Sequence, residues 1–182
     1  MPLWIQTLDQ ILLSFLSFEI PPFLVIILNS LGNIKGHLLL SLVGLSFIYR
    51  FKKAYFKSFI LFFLNLSTLF AILYILKVSV IRLRPEFKDL AVSGMSFHAH
   101  LFDNRFHSFP SSHSALMGFY LEKSKFNVII LIFTLLMGIS RIVTLQHYPS
   151  DVLCGISTGI AISYLFPLIY GKFFQKKKKA NS

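Results

Sequence analysis

The chain has 182 residues, 55% of them hydrophobic and only 14% charged, with a mean hydropathy of +0.70 and a formal net charge of +11 at pH 7. A soluble domain of this length carries far more charge, so an ordinary water-surrounded fold is excluded. The single cysteine, Cys154, excludes an intramolecular disulfide and a multi-cysteine metal site.

The apolar residues fall in long runs, and about 20 such residues cross a bilayer. Residues 1–33 hold two shorter runs, Ile11 to Phe18 and Phe23 to Leu31, parted by Glu19, Pro21 and Pro22. They predict two short helices lying in the outer interface; a kinked sixth span is the alternative. The first residues show neither the basic start nor the small-residue cleavage site of a signal peptide. Long helices are then expected at about Gly36 to Tyr49, Phe59 to Arg82, Ser111 to Lys123, Phe126 to Arg141 and Pro149 to Phe173. The predicted fold is therefore all-α, an integral membrane helical bundle of five long spans plus short N-terminal interfacial helices. With no repeat and no disordered linker it reads as one membrane-embedded domain, residues 1–182.

Charge placement orients the bundle. Arg50, Lys52, Lys53 and Lys57 lie between two runs, Lys123 and Lys125 between the next two, and Lys172 and Lys176 to Lys179 after the last. Basic residues in alternate connections mark the cytoplasmic side, and this distribution argues against a nucleic-acid partner. The lysine tail reads as a solvated segment touching anionic lipid. The Ser111–Lys123 helix would be only about 20 Å long, short for a hydrocarbon core of about 30 Å. A start below the outer surface would place His113 at headgroup or upper-acyl depth.

Three motifs then share the non-cytoplasmic side: Lys77 to Arg84-Pro85, Pro110-Ser111-Ser112-His113, and Ser140-Arg141 followed by His147 and Asp151. Charges in or beside membrane helices are functional hypotheses by default. Lys77 and Arg84 are two helical turns apart, and Pro85 disfavours helix at Arg84, so the chain can turn the guanidinium back toward Lys77. With Arg141 they form a cation set able to hold phosphoryl oxygens, although Lys77 or Arg84 alone could be an interface anchor. Pro110 suits a helix start, leaving the amides of Ser111, Ser112 and His113 as an anion site; Ser-Ser is equally an ordinary cap. His147 and Asp151, four apart, allow the carboxylate to take the imidazole N–H and leave the other nitrogen as nucleophile.

Together the three motifs, in this order over Lys77 to Asp151, resemble those of the type 2 phosphatidic acid phosphatases, also called lipid phosphate phosphatases. The resemblance implies metal-independent hydrolysis of a phosphate monoester or diphosphate on a membrane lipid through a phosphohistidine. It makes His147 the nucleophile, Asp151 its orienter and His113 the acid that protonates the leaving oxygen and then activates water. Lys77, Arg84, Ser111, Ser112 and Arg141 would hold the phosphate. The family usually has glycine where Ser112 stands. No cofactor and no obligate protein partner are implied; the partners are the lipid phosphate and the bilayer. The compact build resembles bacterial inner-membrane members with a periplasmic site, and lipid A 1-phosphate is the favoured substrate, with undecaprenyl diphosphate and phosphatidylglycerol phosphate as alternatives. The segment Glu86 to Ser108 is expected to form the rim of the site. A zinc cluster of His98, His100, His107 and Asp103 is a competing reading of that segment. A transporter that carries a lipid phosphate without cleaving it is the alternative of another class.

Overall fold

A computed structural model describes residues 2–16, Pro21, Phe23, 55–88 and 103–180. Five α-helices lie among them: α1 (Leu3–Leu16), α2 (Tyr55–Ser79), α3 (Ser112–Lys123), α4 (Val128–Val143) and α5 (Pro149–Ala180). The predicted helices at 36–49 and 24–31 lie outside the described residues.

The helices are polar inside and apolar outside. Asn65, Ser114, Thr134, Ser140, Arg141, Asp151 and Ser163 are buried, whereas Leu64, Phe70, Ile75, Ile132, Leu136, Leu165 and Ile169 are exposed. Water would reject such a surface; lipid favours it, provided inner polar groups find partners. Ile60–Ser79 and Pro149–Gly171 are long and apolar enough to cross a membrane, and only 22% of each apolar window is buried within the protein. A core helix of a soluble protein would be mostly enclosed. α4 is apolar but has 16 residues, about 24 Å. α3 has 12 residues, most of them buried, so it is an inner helix and needs no apolar coat.

α3 and α5 pack most closely, and glycine is the reason. A Cβ at Gly159 would lie 1.9 Å from the Ala115 carbonyl oxygen, and one at Gly155 would lie 2.4 Å from that of Ser111. Small residues let membrane helices approach backbone to backbone. Phe119 and Ala115 of α3 join Leu69 and Leu73 of α2 in one core cluster. At the far end of α3, Lys123 Nζ donates to the Ser163 carbonyl (2.8 Å), which also accepts from Asn65 (3.2 Å). A second cluster joins Leu13 of α1 to Ile142, Tyr148 and Val152.

Several boundaries differ from expectation. α1 begins well before Ile11, because Pro2 offers its carbonyl to the amides of Ile5 and Gln6 (3.1 and 3.3 Å); Gln6, Asp9 and Gln10 interrupt the apolar run that a hydropathy reading follows. The 14 described residues of α1 span about 21 Å. α2 stops at Ser79 rather than Arg82, since residues 82–84 pair with another segment. The backbone of α5 continues beyond Phe173 to Ala180, as lysine is a good helix former.

Candidate active site

The candidate site is framed by residues 82–84 and 105–108, which pair side by side. Pro85 forbids helix at the preceding residue, and Arg84 is extended (φ −69°, ψ 151°). Arg82 forms an isolated parallel bridge with His107. The Arg82 amide donates to the Phe106 carbonyl (3.0 Å), Ser108 N–H to the Arg82 carbonyl (3.1 Å), and Arg84 N–H to the Arg105 carbonyl (2.9 Å). A 3-10 turn at Asn104–Phe106 is capped by Asp103, which accepts from Arg105 N–H and pairs with its guanidinium at 2.6 Å. Asp103 thus serves this turn; His98 and His100, the other members of the competing metal reading, lie outside the described residues.

The three expected cations meet. Lys77 Nζ donates to the carbonyls of His107 and Pro110, both at 2.8 Å. Two of its three donors thus hold the chain entering α3, and one is left for an anion. Arg84 donates through Nη1 to Gln146 Oε1, and Gln146 passes the link to Glu86 (2.9 Å). The buried Nε of Arg84 has no hydrogen-bond partner, which is costly unless a ligand supplies one. Arg141, 6% exposed, accepts the amides of Gln146 and His147 on its carbonyl, both at 3.1 Å. The turn between them is closed by Leu145 in the left-handed region (φ 55°). Arg84 repels both Lys77 and Arg141 electrostatically. Like charges half withdrawn from water are costly until an anion joins them; an anion with several oxygens suits the set.

The Pro-Ser-Ser-His stretch departs in part from expectation. Ser111 is the N-cap of α3, and its oxygen accepts from Ser114 N–H (3.4 Å) and the Ser114 hydroxyl (3.0 Å). Its amide is not available to an anion: it donates to the Asp151 carbonyl at 3.1 Å. The buried hydroxyl proton is what Ser111 has left to offer. Pro110 stands outside the helix rather than in its first turn. Ser112 and His113 occupy the first turn, both partly exposed.

His147 is 4% exposed. Its Nδ1 lies 2.7 Å from the Ser108 carbonyl and 4.0 Å from Asp151 Oδ2. A carbonyl only accepts, so the proton sits on Nδ1 and the Nε2 lone pair is left for attack. The direct carboxylate–imidazole hydrogen bond expected from the spacing is therefore replaced by the Ser108 carbonyl. The reason is local. Asp151 is the third residue of α5, and its Oδ2 reaches back to the Tyr148 amide (2.9 Å) in the manner of a capping box. The same oxygen accepts the Ser108 hydroxyl at 2.5 Å, while Oδ1 accepts Arg82 Nη1. Burial, reinforced by the charges of Lys77 and Arg84, pulls the His147 pKa well below its usual 6.5; the Ser108 carbonyl opposes this and His113 adds to it. The shift favours the neutral imidazole.

Sequence reasoning passed over Ser108, Gln146 and the role of Arg82. Arg82 lies inside the first motif, so its closeness to the site was visible, but its partners are remote in sequence. A cleft of about 280 Å³ opens beside it, lined by Gln6, Gln10, Val80, Ile81, Arg82, Leu83 and Tyr148. None of Lys77, Arg84 and Arg141 lines it.

Comparison with known proteins follows this geometry. Residues 58–175 match the PAP2 superfamily. A lipid A 1-phosphatase of Rhizobium johnstonii is 30% identical over 105 residues, covering 54% of this chain and 42% of that protein. One from Rhizobium etli is 31% identical over 105 residues, covering 54% of this chain and 44% of that protein. The chain thus spans less than half the length of these curated relatives. Among solved structures, the transmembrane PAP2-type phosphatidylglycerolphosphate phosphatase of Bacillus subtilis superposes with a TM-score of 0.64 at 22% identity, over 94% of this chain and 88% of that one. That likeness concerns the fold and agrees with a helical bundle built for a membrane. With the three motifs inside the matched residues and the bundle shared, the chain belongs to the PAP2 superfamily.

Proposed function

We propose that this protein is a lipid phosphatase that works through a phosphohistidine. The observation that carries the proposal is the His147 imidazole, whose Nδ1–H is held by the Ser108 carbonyl at 2.7 Å and whose Nε2 is left to attack beside Lys77, Arg84 and Arg141. Phosphoryl transfer asks for in-line positioning and for charge stabilisation on the equatorial oxygens, which cations and helix amides supply. The Nε2 lone pair forms the N–P bond as the P–O bond to the lipid breaks, and protonated His113 gives its proton to the leaving oxygen. His113, now neutral, takes a proton from water; the new O–P bond forms, the N–P bond breaks, and inorganic phosphate leaves.

Lipid A 1-phosphate is our first choice of substrate, because both curated relatives carry that activity in their names. Phosphatidylglycerol phosphate is the second, supported by the solved relative, and undecaprenyl diphosphate the third. The basic connections support a bacterial inner-membrane protein with the site on the periplasmic side. Purified protein should release phosphate from at least one lipid of this panel. An acid-labile phosphoenzyme should form with wild type and be absent from His147→Ala, which should still elute as a folded protein. Near-wild-type turnover by His147→Ala would sink the assignment. A cysteine placed in segment 89–102, in a Cys154→Ser background, should react with an impermeant thiol reagent from the periplasm; labelling only after membrane rupture would overturn the sidedness.

A further inference from the structure

Asp9 lies in α1, well outside the residues that match the family, yet it is among the most buried charges of the chain at 2% exposure. Its carboxylate is fully used. Oδ1 accepts the Ser150 amide at 2.9 Å; Oδ2 accepts the Ser150 hydroxyl and Arg82 Nη2, both at 2.6 Å. Arg82 Nη1 donates to Ser150 Oγ (2.8 Å) and to Asp151 Oδ1. The guanidinium also lies over the Tyr148 ring, 3.9 Å from its centre. One planar fork is thereby fixed between two carboxylates and one aromatic face, a use to which lysine could not be put.

The chain of contacts ends at the proposed nucleophile. Arg82 fixes Asp151, Asp151 fixes the Ser108 hydroxyl, and the Ser108 carbonyl holds His147 Nδ1. A buried guanidinium with one carboxylate partner can rotate toward either side; with two it is held in place. Leu13, one turn on, packs against Tyr148 and Val152, so α1 is anchored at the level where Asp9 must act. The opposite face of α1 presents Leu3, Trp4, Ile11 and Phe15 outward, which suits a helix lying against lipid.

We propose that Asp9 is a positioning residue: through Arg82 it sets the geometry of Asp151 and Ser108, and thereby of the His147 imidazole. The inference rests on the phosphatase reading above. Because Asp9 acts on the reacting geometry and touches no substrate, its loss affects the chemical step rather than binding.

The test is a double-mutant cycle of Asp9→Asn and Arg82→Lys in full-length protein, assayed in mixed micelles with the panel lipid that wild type cleaves fastest. Asp9→Asn keeps the size and one acceptor but removes the charge. It should lower kcat about tenfold with KM within about twofold, the scale of coupling between residues of one ion-pair network. The double mutant should lose no more kcat than Arg82→Lys alone, and Asp9→Glu should recover part of the Asp9→Asn loss. Thermal unfolding of each variant, read without substrate, separates a folding defect from a positioning one. A rise in KM at constant kcat, multiplicative losses in the cycle, or a kcat loss that only tracks loss of folded protein would each overturn the proposal. Wild type inactive on every lipid would instead overturn the phosphatase reading, and this proposal with it.

Discussion

Asp151→Asn separates two ways in which a carboxylate can serve a catalytic imidazole. If Asp151 accepted the Nδ1 proton directly, the amide would leave the wrong tautomer, and the penalty would approach that of a broken catalytic triad, about 10⁴ in kcat. Here the Ser108 carbonyl takes that proton and survives the substitution. What is lost is the charge 4.0 Å from the ring. In the proposed mechanism that charge stabilises the cationic imidazole formed as the N–P bond closes. At this distance and an effective dielectric constant near 20, the attraction is about 4 kcal/mol. Arg82, bonded to the same carboxylate, cancels roughly half, leaving about 2 kcal/mol or roughly 30-fold in rate. The Asn oxygen can still accept the Tyr148 amide and the Ser108 hydroxyl, but its NH₂ then faces Arg82. The assay is kcat on purified protein, with unfolding measured in parallel so that activity is corrected for folded fraction. A corrected loss of about 10⁴ or more would refute the indirect role argued from this geometry.

Other outcomes follow from the same structure. In the proposed mechanism attack requires neutral His147, whose folded-state pKa lies well below 6.5, so the acid limb of kcat/KM should lie at that depressed value, with the need for protonated His113 setting a separate alkaline limb; an acid limb at or above 6.5 contradicts the burial argument. By linkage, unfolded chains bind a proton below 6.5 that folded ones do not, so thermal stability should also decline as pH falls from 6.5. Gly159→Ala places a methyl 1.9 Å from the Ala115 carbonyl and should cost about 1–3 kcal/mol of stability, whereas Gly171→Ala, with nothing within 4 Å, should be neutral in a detergent melt; equal melting temperatures would discredit the α3–α5 contact. Phosphate release should survive EDTA and be inhibited competitively by vanadate; loss on chelation with recovery on adding magnesium or zinc would revive the metal reading of the 98–107 histidines.

The helical bundle was legible because lipid leaves a coarse record of long apolar runs. The site was legible as a set of motifs, since Lys77, Arg84, His113, Arg141, His147 and Asp151 keep fixed spacings on or beside helices. Their partners were not. The acceptor for His147 is a backbone carbonyl 39 residues away, and a carbonyl has no signature in sequence. Asp9 reaches Ser150 across 141 residues, and nothing local in Leu-Asp-Gln announces it. The Asp151 contact was misjudged for a different reason. A four-residue spacing brings the two side chains near each other, but the capping demand of the α5 start competes for the same oxygen. Ser111 gave its amide to the Asp151 carbonyl for a comparable reason: glycines at 155 and 159 draw the two backbones together.

The stem formed by residues 82–84 and 105–108 has a consequence for change over time. Its three main-chain hydrogen bonds depend on no particular side chain. Ser108 and Arg82 both stand within that pairing, so their placement is set before the chain leaves for the intervening segment and after it returns. Exchanging residues 89–102 between relatives should then leave the main-chain pairing that places Arg82 and Ser108 intact.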